Sequence, residues 1–220
     1  MKVVTHTLPE GPWQPLLSRA IYLLEDLSTI GGVSDPFWTL GGGTVLMFRH
    51  DHRASKDIDI FLADPQYLGY LTPRLSDKAA DMTSTYIEDP SSYVKLQFQE
   101  GEVDFVAASN LLDNCWEWWE IDSQKIRVET SAEIIAKKMH HRGHQATARD
   151  LFDLCMVIEH EPQHLMEAAP FMLKNRQVFL EKISRPTKVM IATFEAIDTK
   201  RYQQDLSSCI RIATQFLTSL

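Results

Sequence analysis

The sequence predicts an α+β fold: a mixed sheet flanked by helices over residues 1–130, followed by an all-helical domain over residues 131–220. Three observations predict it. Short apolar or alternating segments bounded by turn residues crowd the middle of the chain. Apolar residues at helical spacing mark residues 14–29 and recur after Ser131. Thr130 and Glu133 form a Thr-x-x-Glu pair, the spacing of a helix start, where the pattern changes.

In order along the chain, QPLLSRAIYLLEDLST (14–29) places Leu17, Ala20, Ile21, Leu24 and Leu27 on one helical face, and Gly31-Gly32 ends it. Phe37 to Leu40 reads as a short strand, Thr44 to Arg49 as a short helix and Asp57 to Leu62 as a strand. Tyr67 to Met82 has helical character that Pro73 should break or kink. Thr83–Glu88, Tyr93–Gln99 and Val103–Ala107 read as strands, separated by Asp89-Pro90-Ser91-Ser92 and by Glu100-Gly101, and Lys125–Glu129 adds one more. The tryptophans Trp116, Trp118 and Trp119 read as packing residues.

Composition bounds the function. The chain has 220 residues, 44% hydrophobic and 24% charged, as an ordinary globular protein has. MKVVTHTLPEGPW has no apolar signal core and no apolar run reaches membrane-spanning length, so a cytoplasmic protein without a membrane partner is expected. Cys115, Cys155 and Cys209 lack any CxxC spacing and read as reduced thiols. A net charge of −8 excludes a general electrostatic affinity for nucleic acid; a contact must come from a local patch. Residues 136–149, AKKMHHRGHQATAR, are the candidate, with Lys137, Lys138, Arg142, Arg149, three histidines and no acid. His140, His141 and His144 lack the further ligand that a zinc site needs.

The most informative stretch is GGGTVLMFRHDHRASKDIDI, residues 41–60. Alternate strand residues share a face, so Asp57 and Asp59 project together while Ile58 and Ile60 point to the core. Paired carboxylates repel unless a cation lies between them, which makes a divalent metal their natural partner. Gly42 and Gly43 let the backbone approach a phosphate, with Thr44 and the following helix N-terminus as donors. The GK[ST] and GxGxxG spacings are absent, so neither a P-loop nor a dinucleotide fold is indicated. Asp104, inside Glu102-Val-Asp-Phe-Val106, completes a three-acid set if its strand lies beside that of Asp59, and Glu102 shares its face. Such a cluster suits two-metal phosphoryl transfer. A second cluster joins Lys138 to Arg149, Asp150 and Asp153, the two acids lying three apart on one helix face.

These residues resemble a known family. GGGTVL–x–FRHDHRASKDIDIF is similar to the first motif of the nucleotidyltransferase superfamily related to DNA polymerase β. SAEIIAKKMHHRGHQATARDLFDL, residues 131–154, resembles the narrower AbiEii/AbiGii-type nucleotidyltransferase toxins, although Lys137 stands where that family usually has glutamate. The resemblance implies a nucleotidyltransferase-type mixed sheet, with NTP as substrate and two Mg2+ ions on Asp57, Asp59 and Asp104. It implies that Gly42, Gly43 and Thr44 hold the nucleotide phosphates. Lys138 would contact the triphosphate, and Asp150, supported by Arg149, would be a further active-site acid. It also implies an RNA acceptor such as the 3′ end of tRNA and a separate antitoxin protein. Transfer to a protein or small-molecule hydroxyl, antibiotics included, and a non-catalytic nucleotide-binding module are the alternatives.

Overall fold

The computed structural model describes residues 4–5 and 8–220, and its contacts divide the chain into two compact units. The first comprises residues 1–48, 55–110 and 116–129; the second comprises 49–54, 111–115 and 130–220.

The first unit is a mixed sheet with helices. Its elements are β1 (Val4–Thr5), α1 (Trp13–Thr29), β2 (Trp38–Gly41), α2 (Gly42–His50, whose last two residues count with the second unit), β3 (Ile58–Leu62), α3 (Asp77–Met82), β4 (Tyr86–Asp89), β5 (Tyr93–Gln97), β6 (Glu102–Ala107), β7 (Trp116–Ile121) and β8 (Gln124–Glu129). Eight strands run in the order β1-β7-β8-β2-β3-β6-β5-β4. β3 pairs parallel to β6 and antiparallel to β2, while β5 pairs antiparallel to β6. The pleat gives the sheet two unlike faces. Ile58, Ile60, Leu62, Val94, Leu96, Val103 and Phe105 are fully buried on one of them, where α1 packs on β3 and β6 through an apolar stripe that includes Leu16, Leu23 and Leu27. The alternate residues, Asp59, Asp104 and Lys95, fall on the other.

Two local findings depart from the sequence expectations. The predicted helix at 67–82 is a 3-10 helix at Pro65–Tyr70 and the separate α3, capped by Ser76, whose hydroxyl accepts from the Ala79 N–H. Pro73 lies in the break, where it donates no backbone hydrogen bond. Trp116–Ile121, expected only to pack, is strand β7 of a hairpin with β8. Trp119 is fully buried, but Trp116 and Trp118 are half-buried around the Arg127 guanidinium, which lies 4.8 Å from the Trp118 ring and 5.0 Å from that of Phe37.

The second unit is helical: α4 (Ser131–Arg142), α5 (Ala148–His160), α6 (Pro162–Leu165), α7 (Ala169–Met172), α8 (Arg176–Ser184), α9 (Lys188–Glu195) and α10 (Leu206–Ser219), joined in part by short 3-10 turns. Thr130 caps α4 by accepting from the Glu133 N–H, while the Glu133 carboxylate accepts from the backbone N–H groups of Leu111 and Leu112. α5 is the core helix. Its Leu151, Phe152, Cys155 and Met156 are fully buried, and Phe152 meets the rings of Phe194 and Tyr202 edge-on. Residues 51–54 run along 198–201, with Ala54 N–H donating to the Asp198 carbonyl and Lys200 N–H to that of His52. All three cysteines are buried, and none forms a disulfide. Among the described residues no helix is long and apolar enough to cross a membrane.

Candidate active site

Two groups of charged side chains stand out, one in each unit. In the first unit the sheet register builds the site. Asp59 of β3 lies directly beside Asp104 of β6, with Gly41 of β2 on its other side. Lys95 of β5 lies opposite Asp104. Asp59 and Asp104 therefore share one sheet face, as alternation requires; Asp57, expected to open the strand, lies instead in the loop just before β3.

Glycine is obligatory next to Asp59. Gly42 has φ +74°, and a Cβ there would stand 1.9 Å from Asp59 Oδ2. Gly42 also opens α2, so the first free N–H groups of that helix lie at the carboxyl end of β2. Thr44 is fully buried, and its hydroxyl donates to the Asp57 carbonyl at 2.6 Å with Ser55 Oγ 3.0 Å away. That hydroxyl pins the loop carrying Asp57 rather than projecting toward solvent. Asp57 Oδ1 accepts from the Glu102 N–H at 3.0 Å, which ties the loop before β3 to the start of β6.

Asp104 is the strained acid. Its Oδ2 lies 3.0 Å from Lys95 Nζ, while its Oδ1 is buried with no hydrogen-bond partner among the described residues. Burial first, then the neighbouring Asp59 charge, push its pKa up to about 7. Lys95 does not offset this, because it is shared: its ammonium also lies 2.7 Å from Glu102 Oε2. Burial opposes the charge on Lys95, yet Glu102 and Asp104 together hold its pKa above the ordinary lysine value. Glu102 responds in the opposite sense to Asp104, held low chiefly by the hydrogen bond from Lys95.

Glu129, a fourth carboxylate that the sequence reading passed over, ends β8 fully buried and accepts from the Thr39 hydroxyl at 2.7 Å. A Cβ on Gly41 would stand 2.3 Å from Glu129 Oε2. Its signal in the sequence is faint, an acid at the end of an alternating strand.

The donor set fits a hard divalent cation. Carboxylate oxygens are the ligands Mg2+ prefers, and an ion near Asp104 Oδ1 would satisfy that atom and screen Asp59 from Asp104. Among the described residues no three ligating side chains are already gathered about one point. Mg2+ usually binds one or two carboxylates, several waters and substrate phosphates, so a two-carboxylate seat suffices.

In the second unit the hub is Asp153, fully buried. Its carboxylate accepts from Arg53 Nε at 2.7 Å, Arg53 Nη2 at 2.8 Å, His52 Nε2 at 2.8 Å, and Lys138 Nζ. Burial alone would raise its pKa, but Lys138 and Arg53 hold it well below the carboxylate range. Burial lowers the His52 pKa against the pull of Asp153; Nε2 faces the Asp153 carboxylate, and among the described residues the buried Nδ1 has no hydrogen-bond partner.

Lys138 Nζ also lies 3.2 Å from Asp150 Oδ1. Asp150 closes a capping box at the start of α5: its backbone N–H donates to Thr147 Oγ1, and its carboxylate accepts from the Thr147 hydroxyl and N–H. The guanidinium on Asp150 belongs to Arg142, at 2.7 Å, whereas Arg149, expected as its support, is exposed. Lys137 pairs instead with Glu133 at 3.4 Å. His52, Arg53 and the central place of Asp153 escaped the sequence reading because His52 and Arg53 meet it across about a hundred residues of chain.

A family model described as the nucleotidyl transferase AbiEii toxin of a type IV toxin–antitoxin system matches residues 27–216. Among solved structures the chain is similar to JHP933 from Helicobacter pylori, with TM-score 0.51 and 15% identity over 97% of this chain and 93% of that one. It is also similar to the nucleotidyltransferase toxin MenT4 from Mycobacterium tuberculosis H37Rv, with TM-score 0.50 and 17% identity over 95% and 85% of the respective chains. No curated protein matches the sequence.

Proposed function

We propose that this chain, which belongs to the AbiEii nucleotidyltransferase toxin family and is a nucleotidyltransferase, moves an NMP from an NTP to the 3′-terminal hydroxyl of an RNA in a Mg2+-dependent reaction. The acceptor oxygen bonds to the α-phosphorus, the bond from that phosphorus to the bridging oxygen of the β-phosphate breaks, and pyrophosphate leaves. The proton of the acceptor hydroxyl passes to solvent water. The observation that carries the reading is the register of Asp59 beside Asp104, with a glycine against Asp59 where any side chain would clash.

When bound, two Mg2+ ions would supply an activated acceptor hydroxyl and charge neutralisation at the triphosphate. Asp57, Asp59 and Asp104 are the residues that would hold them, Asp57 by turning its carboxylate from the Glu102 N–H. Gly42 and Gly43 leave the first N–H groups of α2 open to phosphate oxygens. Thr44 serves the same end indirectly, by holding the Asp57 loop. Lys138 is proposed to contact the triphosphate, adding positive charge where negative charge builds on the leaving group. Asp150 is proposed to act beside it, orienting the ammonium from the cap of α5.

A protein hydroxyl as acceptor has one observation in its favour. In the basic 136–149 segment, Lys137, Lys138 and Arg142 are already engaged with acids, which leaves less free charge for an RNA backbone. The test uses purified protein, Mg2+ and each α-labelled NTP, with total RNA and total cell protein offered together. Label on RNA of tRNA size supports the RNA reading and identifies the nucleotide; label on protein bands alone replaces it with protein modification. An antitoxin partner is proposed with the family.

A further inference from the structure

Lys95 lies against one of the proposed metal carboxylates, and its placement is dictated by the sheet. It lies directly opposite Asp104 in the β5–β6 register, on the same face. Its ammonium bridges Glu102 Oε2 at 2.7 Å and Asp104 Oδ2 at 3.0 Å. Glu102 is steadied from the other side by Gln97 Nε2 at 3.1 Å. The lysine, its two acids and the glutamine are all only partly exposed, so the ion pairs are weakly screened.

We propose that Lys95 is a positioning residue that withholds Asp104 from divalent metal until nucleotide is present. This rests on the metal reading of Asp57, Asp59 and Asp104. An ion approaching Asp104 meets an ammonium already on the same carboxylate. Repulsion between the two cations therefore weakens binding there while the site holds no other negative charge. An NTP brings several negative charges, which offset the ammonium and make the third carboxylate usable. Lys95 keeps Glu102 as an alternative partner, so its flexible stem can leave Asp104 without stranding the charge. The consequence is an order: Asp57 and Asp59 take the first ion, and Asp104 is recruited with the nucleotide.

The test is a Mn2+ titration of the full-length protein by electron paramagnetic resonance, with and without a non-hydrolysable NTP. Lys95→Met should bind Mn2+ about tenfold more tightly than the wild type without nucleotide, because a repelling charge is gone. Lys95→Arg, which keeps the charge, should titrate as the wild type does. With the analogue present, the Lys95→Met advantage should shrink to less than about threefold. Asp104→Asn should leave nucleotide-free Mn2+ binding within about twofold of the wild type and weaken binding with the analogue. Unchanged or weaker nucleotide-free binding in Lys95→Met, or an equal gain in Lys95→Arg, overturns the proposal. The Asp57→Asn/Asp59→Asn double variant separates the two ideas. If it binds Mn2+ like the wild type, the metal reading fails. If it loses binding while Lys95→Met shows no gain, the role of Lys95 alone is rejected.

Discussion

Gly42 shows how one residue can be fixed twice over. Its φ of +74° disfavours any L side chain, and its missing Cβ is the space that Asp59 occupies. Gly42→Ala should cost about 1–3 kcal/mol of stability, measured by urea denaturation, and should lower nucleotidyl transfer by displacing Asp59. At the same scale, Glu161 links pH to stability in the second unit. The hydrogen bond to His50 first, with Ser131 also contributing against burial, holds its pKa at about 2. A carboxylate depressed in the folded state stabilises above its unfolded pKa, and that gain is lost as pH falls through 4.5 toward 2. Glu161→Gln should therefore destabilise at pH 7 and flatten the acid limb of the stability profile between about pH 5 and pH 2. An unchanged acid limb in chemical denaturation would reject the assignment. Asp59 and Asp104 were legible as candidates because alternation and an apolar setting single them out, whereas Asp57 shares the motif but lies in the loop before the strand. Glu129, Lys95, His52 and Arg53 were not, since a surface charge and a buried partnered one read the same until the register or the distant partner is known.

Among elements, most strands were legible from alternation between turn residues, and the two-residue β1 and the longer β7 were the exceptions. The six residues of β7, WEWWEI, read as packing aromatics. The β7–β8 connection also hides its nature. Ile121 pairs with Gln124 around Asp122 and Ser123, both with positive φ, at 49° and 64°. That is a two-residue type I′ hairpin built without the Asn-Gly or Asp-Gly signature such turns favour. Replacing Asp122-Ser123 by Asn-Gly should raise stability by about 0.5–1 kcal/mol, because glycine and asparagine accept these angles more readily. A fall in the denaturation midpoint would contradict the turn assignment. The start of α5 offers a second check. Thr147→Ala removes both the hydroxyl that caps Asp150 N–H and the donor to its carboxylate, and should cost about 1 kcal/mol. If Asp150 also serves catalysis, Thr147→Ala should lower kcat as well as stability, whereas a purely structural cap would lower stability alone.

The whole chain is divided less simply than its linear pattern suggests. The change from strands to helices predicts a boundary at 130, and contacts assign residues 49–54 and 111–115 to the helical unit as well. The physical reason is visible in the charges: Asp153, fully buried, needs the guanidinium of Arg53 and the ring of His52, and Glu133 needs the backbone N–H groups of Leu111 and Leu112. A fragment of residues 130–220 would leave Asp153 with Lys138 as its one remaining ion-pair partner among the described contacts, an expensive state for a buried carboxylate. Such a fragment should not unfold cooperatively. A sharp thermal transition at the full-length midpoint would show that the 49–54 segment is dispensable.

The central claim is that the carboxylates on the β3–β6 sheet face carry out nucleotidyl transfer. Its most direct test is the single-turnover rate of α-labelled NMP transfer by the Asp59→Asn and Asp104→Asn variants, with circular dichroism confirming that each is folded. Loss of a metal carboxylate predicts a fall of about a thousandfold or more for Asp59→Asn, and a large fall for Asp104→Asn. Folded variants that transfer label at rates near the wild type would contradict the account.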